Sequence, residues 1–173
     1  GRSRALTGVA GQPGHVVNVP VWRASTHLYE DSADHAAGRP NQPGHFYYGR
    51  RGGPTQWALA EALTALEPGA DGTELFPSGV AAIATTLLAL LRPGDELLFA
   101  DTVYEPTRHI ALTMLGQYGI SARAFDPLDL AGFAAAISPQ TRVAMLESPG
   151  SLTMEVADIP ALCAIARERG VIS

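Results

Sequence analysis

The stretch that decides the fold is ELFPSGVAAIATTLLALLRPGDELLFADTVYEPTRHIALTMLGQYGISARAF, residues 74–125. Three short apolar runs in it, Glu74–Phe76, Glu96–Ala100 and Ala122–Phe125, have the length of strands. Two longer runs between them, Gly79–Leu91 and Pro106–Tyr118, have the length of helices. Pro93-Gly94-Asp95 and Gly116/Gly119 punctuate the joints. The rhythm continues downstream with Asp126-Pro127, a helix at Leu128–Ala136, Ser138-Pro139, a strand at Val143–Leu146 and a helix at Ile159–Arg169. Strand and helix in strict alternation predict an α/β fold with a mostly parallel sheet and flanking helices, because parallel neighbours need crossovers. Gly170-Val171-Ile172-Ser173 reads as the start of a further strand.

Upstream the pattern changes. Thr55 reads as the cap of a helix running to about Leu66, with Leu59, Leu63 and Leu66 on one face and Gly69 after its end. Gly1–Pro54 is rich in turn signals: Gln12-Pro13-Gly14, Arg39-Pro40-Asn41-Gln42-Pro43-Gly44 and Gly52-Gly53-Pro54. Yet Val16–Trp22 and Phe46-Tyr47-Tyr48 do not have the composition of a disordered tail. The expected organisation is an irregular arm over residues 1–54, ordered by a second surface, and an α/β domain over residues 55–173. Gly1 in place of an initiating Met and the strand just beginning at Val171 give the expectation that both ends are cut.

Composition narrows the function classes. The 173 residues carry 12 Lys+Arg against 17 Asp+Glu, a net charge of −5, and all the cations are arginine: there is no lysine. Without a basic stripe, a nucleic-acid partner is not expected. The longest apolar stretch, Val80–Leu91, contains threonines and is too short to span a bilayer, so no membrane association is expected. The single Cys163 excludes an intrachain disulfide and reads as a core residue of the last helix. His15, His27, His35, His45 and His109 lack metal-ligand spacing and read as surface or capping groups. With one unpaired cysteine and no signal-peptide pattern, a cytoplasmic location is expected. Only 17% of the chain is charged and 46% is apolar, which leaves apolar surface to be covered by something.

In an open α/β sheet, ligands bind beyond the carboxyl ends of the strands. At Pro77-Ser78-Gly79-Val80 a strand, a Ser-Gly turn and a long helix would leave the N–H groups of Gly79, Val80 and Ala81 facing outward, where an anion can be held. By itself Ser78 reads first as a plain N-cap. No GxGxxG or GxxxxGK[ST] is present, so the dinucleotide and P-loop fingerprints are missing. Tyr104, at the next strand end, either stacks on a planar ligand or packs under its loop. Tyr48-Gly49-Arg50-Arg51 offers a guanidinium fork and a hydroxyl to a second anion, or is a solvated basic turn. Glu147, after the last strand, reads as a hydrogen-bond anchor or a buried acid.

Tyr48–Thr55, Phe76–Ala82, Asp101–Pro106 and Leu146–Glu155 stand in an order and spacing that resemble the Cys/Met-metabolism family of pyridoxal-phosphate enzymes, and within it the cystathionine β-lyase branch. Val19-Pro20-Val21-Trp22-Arg23-Ala24-Ser25-Thr26 is similar to that family's N-P-P-V-x-R-A-S-T stretch. The resemblance implies a fold-type-I (aspartate-aminotransferase-like) large domain, of which this chain is the N-terminal arm and first half. It implies pyridoxal 5′-phosphate as cofactor. Residue by residue, it implies that Ser78, Gly79 and Val80 hold the cofactor phosphate, that Tyr104 stacks on the pyridine ring, and that Tyr48 and Arg50 reach a neighbouring subunit's phosphate. It also implies a homo-oligomer, a dimer of dimers.

The activity implied is β-elimination of L-cystathionine to homocysteine, pyruvate and ammonia in methionine and transsulfuration metabolism. Members acting at Cγ commonly show Asn-Pro-Thr where this chain has Gly53-Pro54-Thr55. They also often have Asn-Pro after the later Glu-Ser-Pro-like segment, where this chain has Gly150-Ser151. Both departures favour the β-lyase branch. Val80 stands where other members carry Met or Ala, which a backbone donor tolerates. In the family the Schiff-base lysine and the carboxylate that partners the pyridine nitrogen lie beyond the segment matched here. A chain without lysine contains no catalytic residue of that kind, and by itself it is expected to be inactive. The alternatives are a Cγ-acting or cysteine-desulfhydrase sibling, or a non-catalytic binding or oligomerisation module.

Overall fold

A computed structural model describes residues 19–26, 28–37 and 46–173. The chain divides into two compact units, Gly1–Leu75 and Phe76–Ser173.

In the first unit, α1 (Ser32–Ala36) is capped by Asp31, whose Oδ1 accepts the Asp34 N–H at 2.8 Å. A 3-10 turn at Gly49–Arg51 leads into α2 (Pro54–Thr64). The cap expected at Thr55 lies two residues earlier, at Gly53. Pro54 takes the first helical position, where its preset φ fits and its missing N–H costs nothing. The Gly53 N–H is received by Gln56 Oε1 at 3.1 Å. Thr55 instead ties down the arm, because its Oγ1 accepts the Trp22 N–H at 2.9 Å and donates to the Pro20 carbonyl at 3.1 Å. The arm's aromatics find partners within the same unit: Trp22 against Phe46, Phe46 against Trp57, and Tyr29 stacked on Tyr47 at 5.3 Å. Leu59 and Leu63 on α2 stay exposed. Val16–Asn18 and Gln12–Gly14 lie outside the described residues, as do Arg39–Gly44, His15, His27 and His45.

The second unit is the α/β part. Its parallel sheet has the order β2-β1-β3, with β1 at Glu96–Ala100, β2 at Ser121–Phe125 and β3 at Thr141–Met145. The helices are α3 (Gly79–Leu90), α4 (residues 105–117), α5 (Leu130–Ala136) and α6 (Ile159–Glu168). A π turn at Ile110–Met114 interrupts α4, and the wider turn lets Ile110, Ala111 and Leu115 all bury. Glu74–Phe76 does not form the strand its composition favours. Three residues gain little without a neighbouring ladder, and Leu75 and Phe76 remain more than a third exposed.

β1 is the centre of the core: Leu97, Leu98, Phe99 and Ala100 are all fully buried. Successive strand residues point to opposite faces, so both faces of the sheet are covered. At the amino ends of the strands Glu96 gathers its neighbours. Its carboxylate accepts from Thr141 Oγ1 at 2.6 Å, from Ser138 Oγ at 2.9 Å and from Arg123 at 3.2 Å. Burial by itself would raise the Glu96 carboxyl. The hydrogen bonds from Arg123, Thr141 and Ser138, with the Arg123 charge, outweigh it together and hold the group below its ordinary value. The last helix buries Leu162 and Ala166, with Cys163 half-buried beside them.

Candidate functional site

The carboxyl end of the sheet carries the residues singled out in the second unit. Ser78 caps α3, and its Oγ accepts the Ala81 N–H at 3.1 Å. That bond removes Ala81 from the expected trio of outward donors, because the capping hydroxyl uses it. The N–H groups of Gly79 and Val80 meet no acceptor among the described residues. Apart from its chain neighbours and its own helix backbone, nothing among the described residues lies within 4 Å of where a Gly79 Cβ would sit. The turn is therefore open to an incoming anion, with two backbone donors and a twelve-residue helix behind it.

Tyr104 closes the turn after β1 and precedes α4. The residue is 49% exposed, so it is not packed beneath its loop. Its N–H donates to Glu147 Oε2 at 3.0 Å. Glu147 thus serves as a hydrogen-bond anchor, the first of the two roles its position allowed. The loop after β3 is fastened to the same place by a second bond, from the Ser151 N–H to the Thr102 carbonyl at 2.7 Å. Gly150 approaches so closely that a Cβ there would lie 2.7 Å from Thr102 Cβ. Arg108 donates to the Asp101 carbonyl and its guanidinium lies over the Phe99 ring.

In the first unit, the two arm segments quoted above come together. Tyr48 bridges Thr26 in antiparallel fashion, and the Gly49 N–H donates to the Ser25 carbonyl at 2.7 Å. Only glycine fits there, since a Cβ at residue 49 would fall 2.1 Å from the Ala24 oxygen. The Arg50 guanidinium sits 4.7 Å from the Tyr48 ring centre. Arg50, Arg51, Gln56, Trp57 and Glu74 line a cleft of about 570 Å³. His35 meets the Tyr29 ring edge-on, and the described residues contain no cluster of metal-ligating side chains.

Residues 8–173 match the family described as Cys/Met metabolism PLP-dependent enzymes. The chain belongs to that family. Pyridoxal 5′-phosphate is the family's cofactor, and the open donor pair at Gly79 and Val80 fits an anionic group such as its phosphate. Cystathionine β-lyase of Salmonella typhimurium is 43% identical over 153 residues, 87% of this chain and 38% of the relative. L-Methionine γ-lyase of Pseudomonas putida is 40% identical over 154 residues, again 87% and 38%. A crystal structure of a putative O-acetylhomoserine (thiol)-lyase from Campylobacter jejuni, which contains N′-pyridoxyl-lysine-5′-monophosphate, superposes with a TM-score of 0.84 at 28% identity. It covers 98% of this chain and 42% of that one. The fold is fold type I, and the chain spans about 38% of the length of the curated relatives it matches.

Strand-end placement singled out Tyr104, which does follow β1, whereas Ser78, expected at the end of a strand over Glu74–Phe76, stands at the start of α3 with no strand before it. The close packing of Gly150 on Thr102 is not legible in the sequence, because it depends on β1 and β3 being neighbours.

Proposed function

We propose that this chain is the cofactor-cradling part of a carbon–sulfur lyase that converts L-cystathionine and water to homocysteine, pyruvate and ammonia. The likeness to cystathionine β-lyase along 87% of the chain carries the reading. Gly53-Pro54-Thr55 and Gly150-Ser151 add support from the residues themselves. The bound cofactor would acidify the substrate Cα–H and accept the electron pair released there. Ser78, Gly79 and Val80 hold its phosphate through the hydroxyl and two backbone N–H groups. Tyr104 presents its exposed ring to the pyridine. Tyr48 and Arg50, fixed by the Gly49–Ser25 bond, serve a neighbouring subunit's phosphate in a dimer of dimers.

None of these side chains anchors the cofactor covalently. With no lysine among the 173 residues, that group must come from outside them, and the isolated chain is inert. An apolar groove of about 410 Å³ between α3 and β3, lined by Ile83, Leu87, Leu90, Val143 and Met145, supports further covering of this unit. A cytoplasmic location belongs to the same reading. Among the described residues no helix is long and apolar enough to cross a membrane.

Product analysis of the full-length protein tests the reading. Incubation with L-cystathionine is expected to give homocysteine and pyruvate in equal amounts. Cysteine with 2-oxobutyrate as the main products would overturn β-elimination in favour of Cγ chemistry, the reaction class of the 40% identical methionine γ-lyase.

A further inference from the structure

We propose that Glu147 is the positioning residue for Tyr104, fixing the backbone from which that ring is presented. The inference rests on reading Tyr104 as the residue that stacks on the cofactor. Strand register places the pair. Phe99 of β1 lies beside Met145 of β3, so two residues onward Asp101 and Glu147 leave the sheet at the same level. The chain after β1 turns through Val103, whose N–H reaches the Ala100 carbonyl at 3.1 Å, and arrives at Tyr104. A Ser or Asp before a helix would cap it with its own side chain. Tyr104 makes no such bond, and its own N–H, a separate donor, is received by a carboxylate 43 residues away. On the other side of its Cα, the Tyr104 carbonyl accepts from the Thr107 and Arg108 N–H groups at 2.9 and 3.2 Å. The backbone is pinned on both sides while the residue stays half exposed.

Removing the carboxylate need not separate the loops. The Ser151–Thr102 bond and the close approach of Gly150 still hold them together. What Glu147 adds is the orientation of one residue, which makes its role separable from folding.

The test uses the full-length holoprotein and two readouts: hydrogen–deuterium exchange on peptides spanning residues 100–110, and the circular dichroism induced in the bound cofactor. Glu147→Ala is expected to speed exchange at Tyr104 roughly tenfold, the loss of one hydrogen bond to a charged acceptor, and to weaken the cofactor signal at equal occupancy. Glu147→Gln retains an oxygen acceptor and is expected to restore both. Wild-type exchange in Glu147→Ala, or a Gln variant as impaired as the Ala variant, overturns the proposal. Tyr104→Ala separates the two claims. If it leaves the cofactor signal intact while Glu147→Ala still speeds exchange, the stacking reading fails and the positioning stands. If it abolishes the signal while Glu147→Ala changes neither readout, the positioning alone fails.

Discussion

Replacing Glu96 with alanine removes the group on which the amino ends of β1, β2 and β3 converge. Thr141 is 5% exposed and donates to Glu96 at 2.6 Å, and half-buried Ser138 donates at 2.9 Å. Hydrogen bonds to a charged acceptor contribute about 1.5–3 kcal/mol each. Arg123 is half exposed, so its ion pair adds only about 0.2–1 kcal/mol. The two hydroxyls keep partial company after the change, being 3.2 Å apart with Thr141 Oγ1 also receiving the Ser138 N–H. Recovery of about half the hydroxyl contribution leaves a loss of roughly 2–4 kcal/mol for Glu96→Ala. Glu96→Gln, which keeps an acceptor, should lose about 1–2 kcal/mol.

Urea denaturation of the purified protein, with cofactor content measured in parallel, reads both quantities. Cofactor content should not change, because Glu96 lies about 13 Å of strand from the carboxyl end of β1. Acidification gives a second check. The folded carboxyl titrates below its ordinary value of 4.5. Its contribution is therefore complete above that pH and is lost as pH falls through the lower folded value. Glu96→Gln lacks this titration, so the stability curves of wild type and variant should converge on acidification. A Glu96→Ala loss below about 0.5 kcal/mol, or an Arg123→Ala loss as large as that of Glu96→Ala, would refute the reasoning.

Three further outcomes are expected. Ser78→Ala removes both the cap on Ala81 and a hydroxyl at the proposed phosphate site; it should lower stability by about 1 kcal/mol and weaken cofactor affinity, measured by equilibrium dialysis. Gly49→Ala places a methyl group on the Ala24 carbonyl, and a cost of about 1–3 kcal/mol should appear in the denaturation midpoint, with weaker cofactor retention in the assembled protein. Thr107 is fully buried and its hydroxyl has no partner among the described residues; Thr107→Val should stabilise the protein by up to about 1 kcal/mol in the same titration.

The parts of the fold that local rules describe were readable in advance. β1 appears as Glu96–Ala100 because a central parallel strand is buried on both faces and so reads as an unbroken apolar run. α3 starts just after Ser78 because a serine before a helix satisfies one of the helix's orphan donors, here the Ala81 N–H. The misreadings share a physical cause in partners remote in sequence. Thr55 has the chemistry of a cap, but Pro54 starts the helix and the arm takes the hydroxyl, through contacts 33 and 35 residues away. Glu74–Phe76 has the composition of a strand and no ladder to join.

The same distinction explains why the candidate site was half legible. Tyr104 could be placed because it follows the end of β1, and Ser78 because a serine precedes a long apolar helix. Whether Glu147 anchors anything depends on which strands are neighbours and in what register. The order β2-β1-β3 makes β3 adjacent to β1, although β2 and two helices lie between them in sequence. Adjacency brings Glu147 and the turn before Tyr104 to one edge, and the 3.0 Å bond follows from the length of the glutamate side chain. A strand-end carboxylate is thus an incomplete signal until sheet order is known. Once it is known, the signal points to an unfilled backbone donor on the adjacent turn. Here that donor belongs to Tyr104, the residue on which the proposed cofactor geometry depends.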